Sequence, residues 1–249
     1  MRRALLCVGL WFVVALAGAH ETAPQAIRYE QHLAAPLPLR LVMTDAQGRA
    51  VTLRRYFGGR PLILVFGCLH CANLCDTVLE GVTEALEHGQ LAANRDYRAL
   101  YVSIDPRDGP LMAAEAKARR IPAGEQSAWH FLLDRDGSAA ALANAAGFRY
   151  RYDPRSEQYV HPAGFIVATP RGEIAQYFPG VRFDAPKVAR ALRLAADERT
   201  GTLAGDLLLL CHRVNPGGRY TAAILGALRL AGVLFLIGAG LWLWRLQRR

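Results

Sequence analysis

The sequence predicts an α/β fold for residues 37–198, on three observations. Apolar runs of strand length alternate along this stretch with longer segments of helix length, and that alternation is typical of a sheet with helical cover. The stretch has no internal repeat and is long enough for one domain with its own core. A cluster of cysteines stands directly behind one apolar run and locates the chemistry of this domain.

The elements are predicted from local patterns. Asp45-Ala46-Gln47-Gly48 is a turn sequence that predicts a hairpin. Asp184 before Ala185-Pro186 predicts a helix start, because aspartate caps a helix and proline suits its first turn. The predicted strands are Leu39–Met43, Leu62–Phe66, Ala99–Ile104, Gly164–Ala168 and Ile174–Tyr177, with a further strand start at Trp129. The predicted helices are Asn73–His88, Leu111–Arg120, Ser138–Ala146 and Ala185–Asp197.

Residues 1–19 have the pattern of a secretory signal peptide. Arg2 and Arg3 precede the apolar run Ala4–Ala17, and Ala17-Gly18-Ala19 is a small-residue cleavage site. The alternative is an anchor that stays uncleaved. Residues 20–36 show no strong periodicity and are predicted to be an extended lead-in to the domain.

A second apolar segment, Tyr220–Trp244, is long enough to cross a bilayer as a helix. Residues 245–249 form a basic tail that is expected to stay in the cytoplasm, and residues 199–219 form a juxtamembrane link. Arg229 interrupts the span, and it either reaches the outer interface or faces a partner subunit. The two ends together predict a periplasmic domain that is tethered to the inner membrane by its C-terminus.

The formal net charge of +9 belongs mostly to these ends. Eight of the 30 basic residues are arginines within residues 1–19 and 211–249: Arg2, Arg3, Arg213, Arg219, Arg229, Arg245, Arg248 and Arg249. The remaining 22 basic residues are nearly balanced in number by 21 acidic residues, so the exported part is nearly neutral. Nucleic-acid binding, which a basic domain would suggest, is therefore not expected.

Cys68, Cys71 and Cys75 lie directly behind the predicted strand Leu62–Phe66. A strand that ends in cysteines, with a helix behind it, is how thioredoxin-like folds present reactive thiols. If the segment begins a helix, Cys71 and Cys75 share one face about one turn apart. Two soft thiolates on one face suit a soft metal ion, Cu(I) above all.

The sequence also allows roles other than copper binding for these cysteines. Cysteines of exported proteins usually form disulfides, although a bridge from Cys71 to Cys75 would close a very small loop and be labile. Structural zinc would need all three cysteines and a histidine. Cys68 is interpreted either as a small buried residue or as a third thiol in a redox cycle. Cys211 near the predicted span is interpreted as an unpaired thiol or as a metal-binding residue.

The segment from Phe66 to Cys75 resembles the copper motif of the Sco/SenC family, in which a strand ending in Phe-Gly leads to Cys-x-x-x-Cys. Val102–Asp108 resembles the Ser-x-Asp-Pro-x-x-Asp segment of that family, and Tyr159–Val167 resembles its histidine segment before a late strand. The chain departs from the family pattern at Ala72 and Asp76, where proline is usual.

The resemblance covers roughly residues 37 to 195. It implies a thioredoxin-like fold with inserted elements and copper held by Cys71, Cys75 and His161. By the same analogy Asp105 lies close to the metal. Asp76 beside Cys75 is expected to favour the thiol form of that cysteine, because it adds a negative charge.

Two functions follow from these residues. The first is a copper chaperone, which the resemblance directs to a respiratory oxidase and to the binuclear copper site of cytochrome c oxidase subunit II. The second is a thiol–disulfide oxidoreductase, in which Cys71 attacks a partner disulfide, Cys75 resolves it and a thiol reductant protein is a further partner. In both, Cys71 and Cys75 are a redox-active pair, and copper binding is expected not to need Cys68.

Overall fold

The computed structural model describes residues 27–70 and 74–200, with Leu230, Gly232 and Arg245 beyond them. The chain divides into two compact units at residue 201, and those three residues are the described part of the second unit, each in helical conformation. Among the described residues, no helix has both the length and the apolar character that a membrane crossing requires. The predicted signal peptide and nearly all of the predicted span and tail lie outside the described residues.

The first unit is built on a seven-stranded sheet with the order β11-β10-β4-β5-β6-β2-β3. The central strands β4, β5 and β6 are parallel, and each of the others is antiparallel to its neighbours. The strands of this sheet are β2 Val42–Asp45, β3 Ala50–Thr52, β4 Leu62–Gly67, β5 Arg98–Ser103, β6 Trp129–Leu133, β10 Gly164–Ala168 and β11 Ile174–Pro179. Two small pairs accompany it, β1 Arg28–Tyr29 with β7 Phe148–Arg149, and β8 Arg151–Asp153 with β9 Gln158–Val160.

Four helices cover both faces of the sheet: α1 Leu74–His88, α2 Pro110–Arg120, α3 Ser138–Ala145 and α4 Ala185–Ala196. Alternate residues of β4 point to opposite faces, so Ile63 and Val65 pack in one core and Leu62 and Leu64 in the other. The first core includes buried residues of α1, α2 and α4, and the second includes those of α3 and of a 3-10 helix at Leu53–Tyr56. The result is a three-layer α/β/α sandwich.

The structure confirms the predicted α/β class and all four helices, with boundaries that differ by at most one residue. Asp184 caps α4, and its side chain accepts a hydrogen bond from the Lys187 N–H at 3.0 Å. The strand predicted at Leu39–Met43 is wrong in position, because residues 39–40 form a turn and the strand runs over Val42–Asp45. The lead-in is more structured than predicted, since it contributes β1 to a pair with β7.

Candidate metal centre

The topology brings three predicted site segments to one edge of the sheet. Strands β4 and β5 are parallel and in register through Gly67 and Ser103, so the residues that follow them leave the sheet side by side. Strand β10 is antiparallel to β4, with Ile166 opposite Leu64. The start of β10 therefore adjoins the end of β4, which brings the His161 segment to the same edge as Cys68.

Hydrogen bonds from neighbouring elements hold the residues just after β4. The Tyr101 hydroxyl donates to the Cys68 carbonyl at 2.9 Å. The Leu69 N–H donates to Asp108 Oδ2 at 2.7 Å, and the Leu69 carbonyl accepts from Arg120 Nη2 at 3.0 Å. The backbone at this strand end is thus tied to β5, to the loop behind β5 and to α2.

Cys68 is fully buried, at 0% exposure, and it is disulfide-bonded. Its burial agrees with the expectation that its side chain packs inward. The disulfide excludes the zinc site of three thiolates and a histidine in this state, because a disulfide sulfur is not a thiolate ligand. Cys68 is therefore half of a disulfide in the structure rather than a free buried thiol.

His70 is engaged by two carboxylates. Its Nδ1 lies 2.7 Å from Asp108 Oδ1, and its Nε2 lies 3.1 Å from Asp105 Oδ2. Asp108 also accepts a hydrogen bond from the Ser103 hydroxyl at 2.5 Å. Both ring nitrogens of His70 therefore have protein partners.

Asp105 is buried, at 1% exposure, and it is paired with Arg107. Arg107 Nη2 donates to Asp105 Oδ2 at 2.6 Å, and Arg107 Nε donates to Asp105 Oδ1 at 2.9 Å. Burial by itself would raise the pKa of Asp105, but the Arg107 hydrogen bonds and charge outweigh it and lower the pKa below its ordinary value. Asp105 is thus a charged group that orients its neighbours, among them the His70 ring.

Replacing Asp105 with asparagine is expected to reduce the acid sensitivity of the fold. Because the pKa of Asp105 is lowered on folding, its carboxylate stabilises the folded state fully above the ordinary value of 3.8, and the stabilisation is lost as the pH falls through the lower folded value. The variant should also lose about 1.5–3 kcal/mol near neutral pH, the usual range for a hydrogen bond to a charged group.

Denaturant unfolding from about pH 2 to about pH 6 measures this change in the free energy of unfolding. Asp136→Asn is the matched control, because the Asp136 side chain is 94% exposed. An unchanged difference between wild type and Asp105→Asn across this pH range would contradict the prediction.

His161 lies on the loop between β9 and β10 and is 8% exposed. Its Nδ1 lies 3.1 Å from the Pro162 carbonyl, and its ring centroid lies 5.8 Å from that of Phe148. With a proton on Nδ1 the first contact is a hydrogen bond to a backbone carbonyl, the arrangement that commonly orients metal-binding histidines through their other nitrogen. The surroundings of His161 therefore suit its predicted role as a ligand.

The side chains of the two predicted cysteine ligands lie outside the described part of the structure. Cys71 lies outside the described residues, and Cys75 is described only by its backbone, in the first turn of α1. Within the described ranges, no group of three or more histidine, cysteine, aspartate or glutamate side chains could hold a metal ion. The ligand set Cys71, Cys75 and His161 thus stays a prediction, and its soft thiolates with an imidazole fit copper chemically.

The sequence patterns did not assign a role to three charged residues at this edge: Arg107, Asp108 and Arg120. Arg107 and Asp108 follow β5 by four and five residues. Charged side chains soon after a buried strand are a sequence signal for a functional site. Arg120 gave no local signal, because it ends α2 far along the chain. It forms an ion pair with Asp76, so the negative charge expected to act on Cys75 is partly compensated.

The fold and this edge define a class of protein: an α/β domain of thioredoxin-like architecture with cysteines at a strand–helix junction and a histidine on a neighbouring loop. The sequence matches the SCO1/SenC family over residues 32–197, which is more than half of the chain. The chain belongs to the SCO1/SenC family. No curated protein is significantly similar to it in sequence.

Solved structures share the fold at low identity. A structure from Aquifex aeolicus VF5, described as a candidate electron transfer protein, is 21% identical with a TM-score of 0.60, over 66% of this chain and 95% of its own. ScoI of Bradyrhizobium japonicum, solved with copper bound, is 21% identical with a TM-score of 0.51, over 65% and 98%. BsSco, described as a cytochrome c oxidase assembly protein of the Sco family with a disulfide switch, is 18% identical with a TM-score of 0.53, over 70% and 99%.

Proposed function

We propose that this protein is a copper chaperone that binds copper through Cys71, Cys75 and His161 and delivers it to a respiratory oxidase. The observation that carries the proposal is the meeting of the β4 end, the Asp105 loop and the His161 loop at one sheet edge. Membership of the SCO1/SenC family supports it, as does copper in the related ScoI structure. The receiving site we propose is the binuclear copper centre of cytochrome c oxidase subunit II.

The proposed ligands suit both oxidation states of copper. Two thiolates hold Cu(I) strongly because both are soft, and an imidazole adds a ligand that Cu(II) favours. The His161 ring is kept in place by Phe148 and by the Pro162 carbonyl. The Asp105 and Asp108 carboxylates hold His70 and the Leu69 backbone, so they stabilise the segment that leads into Cys71.

Replacing His161 with alanine is expected to weaken Cu(II) binding more than Cu(I) binding and to alter the Cu(II) absorption and electron paramagnetic resonance spectra. The reason is that the variant keeps both thiolates and loses the nitrogen ligand. Copper titration of the purified, reduced chain measures both effects. His130→Ala is the control, because His130 lies partly buried on β6, where its ring packs at a tilt against Tyr56, away from this edge. A wild-type Cu(II) spectrum in His161→Ala would contradict the ligand assignment.

We propose a second property, attachment to the inner membrane by a single C-terminal helix with the domain in the periplasm. The signal-like residues 1–19, the apolar residues 220–244 and the basic residues 245–249 support this topology. A reporter that is active only in the periplasm is expected to work when fused after residue 200 and to fail when fused after Arg249. Activity at Arg249 would refute the single span.

A thiol–disulfide oxidoreductase is the second candidate function, favoured by the disulfide at Cys68. This activity needs no metal, and its substrate would be a disulfide in a copper-site protein, reduced at the expense of a dithiol. Insulin-type disulfide reduction by the metal-free protein separates the two candidates. A chaperone alone gives stoichiometric copper transfer without turnover, whereas an oxidoreductase turns over when a dithiol is supplied.

A further inference from the structure

We propose that, in the oxidised protein, Cys68 forms a disulfide with one motif cysteine, Cys71 or Cys75. When a reductant cleaves this disulfide, Cys68 is the buried leaving group. The inference deepens the proposed function, because this bond withholds one of the two thiolates that copper needs. It assigns Cys68 a redox role beside the motif pair.

The position of Cys68 decides its part in the reaction. Its side chain has no solvent exposure, so an external thiolate has no line of attack on its sulfur. Its carbonyl is held by Tyr101, and the next residue is held at its N–H by Asp108 and at its carbonyl by Arg120. Because these contacts restrain the strand end, Cys68 does not swing outward to meet a reductant, and attack takes place on the other sulfur.

The partner follows from the geometry of a disulfide. The two Cα atoms of a disulfide lie about 4.4–6.8 Å apart. Cys71 and Cys75 are three and seven residues further along the chain, on the connection from β4 into the first turn of α1. That connection starts at Cys68 itself, so these two cysteines are the nearest candidates along the chain.

The redox step balances with one dithiol protein as reductant. A thiolate of the dithiol attacks the sulfur of the motif cysteine, forming a mixed disulfide and breaking the bond to Cys68. The electron pair stays on the Cys68 sulfur, which takes up a proton. The second thiol of the dithiol then breaks the mixed disulfide and leaves as part of its own disulfide. Two electrons pass to the chain, and Cys71 and Cys75 are both free to bind copper.

Thiol labelling of the wild-type chain tests the pairing directly. The unreduced full-length protein is acid-quenched, denatured, treated with N-ethylmaleimide, then reduced and treated with iodoacetamide, and each cysteine is read by tandem mass spectrometry. The expected result is iodoacetamide on Cys68 and on one of Cys71 and Cys75, with N-ethylmaleimide on the other. Maleimide on Cys68, or a Cys68 bridge to Cys211, would overturn the proposal.

A resolution assay tests the leaving-group role in a background with Cys7→Ser and Cys211→Ser, so that only cysteines of the 68–75 segment remain. Cys71→Ser and Cys75→Ser, each with and without Cys68→Ser, are reduced and then treated with 5,5′-dithiobis(2-nitrobenzoate). In the variant that retains the true partner, Cys68 displaces the adduct, so two thionitrobenzoates are released per chain and none stays bound. Adding Cys68→Ser should leave one bound and halve the release.

A stable adduct in both variants that retain Cys68 would overturn the role. Circular dichroism checks that each variant is folded, and the labelling of wild type does not depend on any variant. Neither assay contains copper, so a failure of copper binding would reject the proposed function and leave this pairing standing. Conversely, normal copper binding with maleimide on Cys68 would reject only the pairing.

Discussion

Replacing Cys71 or Cys75 with alanine is expected to abolish tight Cu(I) binding and oxidase assembly. Each variant leaves one soft thiolate, and a single thiolate with an imidazole is a poor site for Cu(I). Loss of an outer group that only orients a ligand costs about 10–100-fold in metal affinity, so loss of a thiolate ligand should exceed about 100-fold. Competition of the reduced protein with a chromophoric Cu(I) chelator measures this affinity.

Cys68→Ala is the matched control, since it removes a third cysteine of the same segment. Under reducing conditions it should keep one copper per chain and lose about 1 kcal/mol or somewhat more of stability, the cost of a small buried group. Cells with this variant should still assemble the oxidase. An equal loss of copper in all three variants would mean a site of three thiolates and would refute the ligand set.

Replacing Gly164 with alanine is expected to destabilise the fold by about 3 kcal/mol or more, the combined cost of backbone strain and overpacking. Gly164 has φ +134°, a conformation that residues with a side chain rarely adopt. An added Cβ would lie 2.2 Å from the Phe178 carbonyl oxygen and 2.9 Å from Pro179 Cα. Both atoms belong to the backbone of β11, so relief requires the β10–β11 pair to separate.

Gly180→Ala is the control for backbone strain alone, because Gly180 has φ +111° and no atom within 4 Å of an added Cβ. Its cost should be about 1–3 kcal/mol, clearly smaller than that of Gly164→Ala in denaturant titrations. Gly164 lies three residues after His161, so the variant should also displace the histidine loop and weaken Cu(II) binding. Equal destabilisation by the two changes would contradict the assigned clash.

The strands and helices that sequence patterns predicted well are those with strong local signals. Gly164–Ala168 was predicted from its sequence with its observed bounds, and all five residues are buried in the structure. Helix α4 was predicted from its aspartate cap and early proline. The short strands β1, β7, β8 and β9 were missed, because two or three residues give no periodicity and their pairing partners lie far along the chain.

The sequence by itself determined the α/β class, the family and the residue types that suit copper, because periodicity and motif spacing are local properties. Only the tertiary structure decided what surrounds them. Arg107 and Asp105 at the end of β5 meet His70 at the end of β4 because those strands are parallel neighbours, a pairing that no local pattern records. The burial of Cys68 and its disulfide likewise depend on the packing of β4 against its neighbours, and that packing is set by contacts between residues distant in sequence.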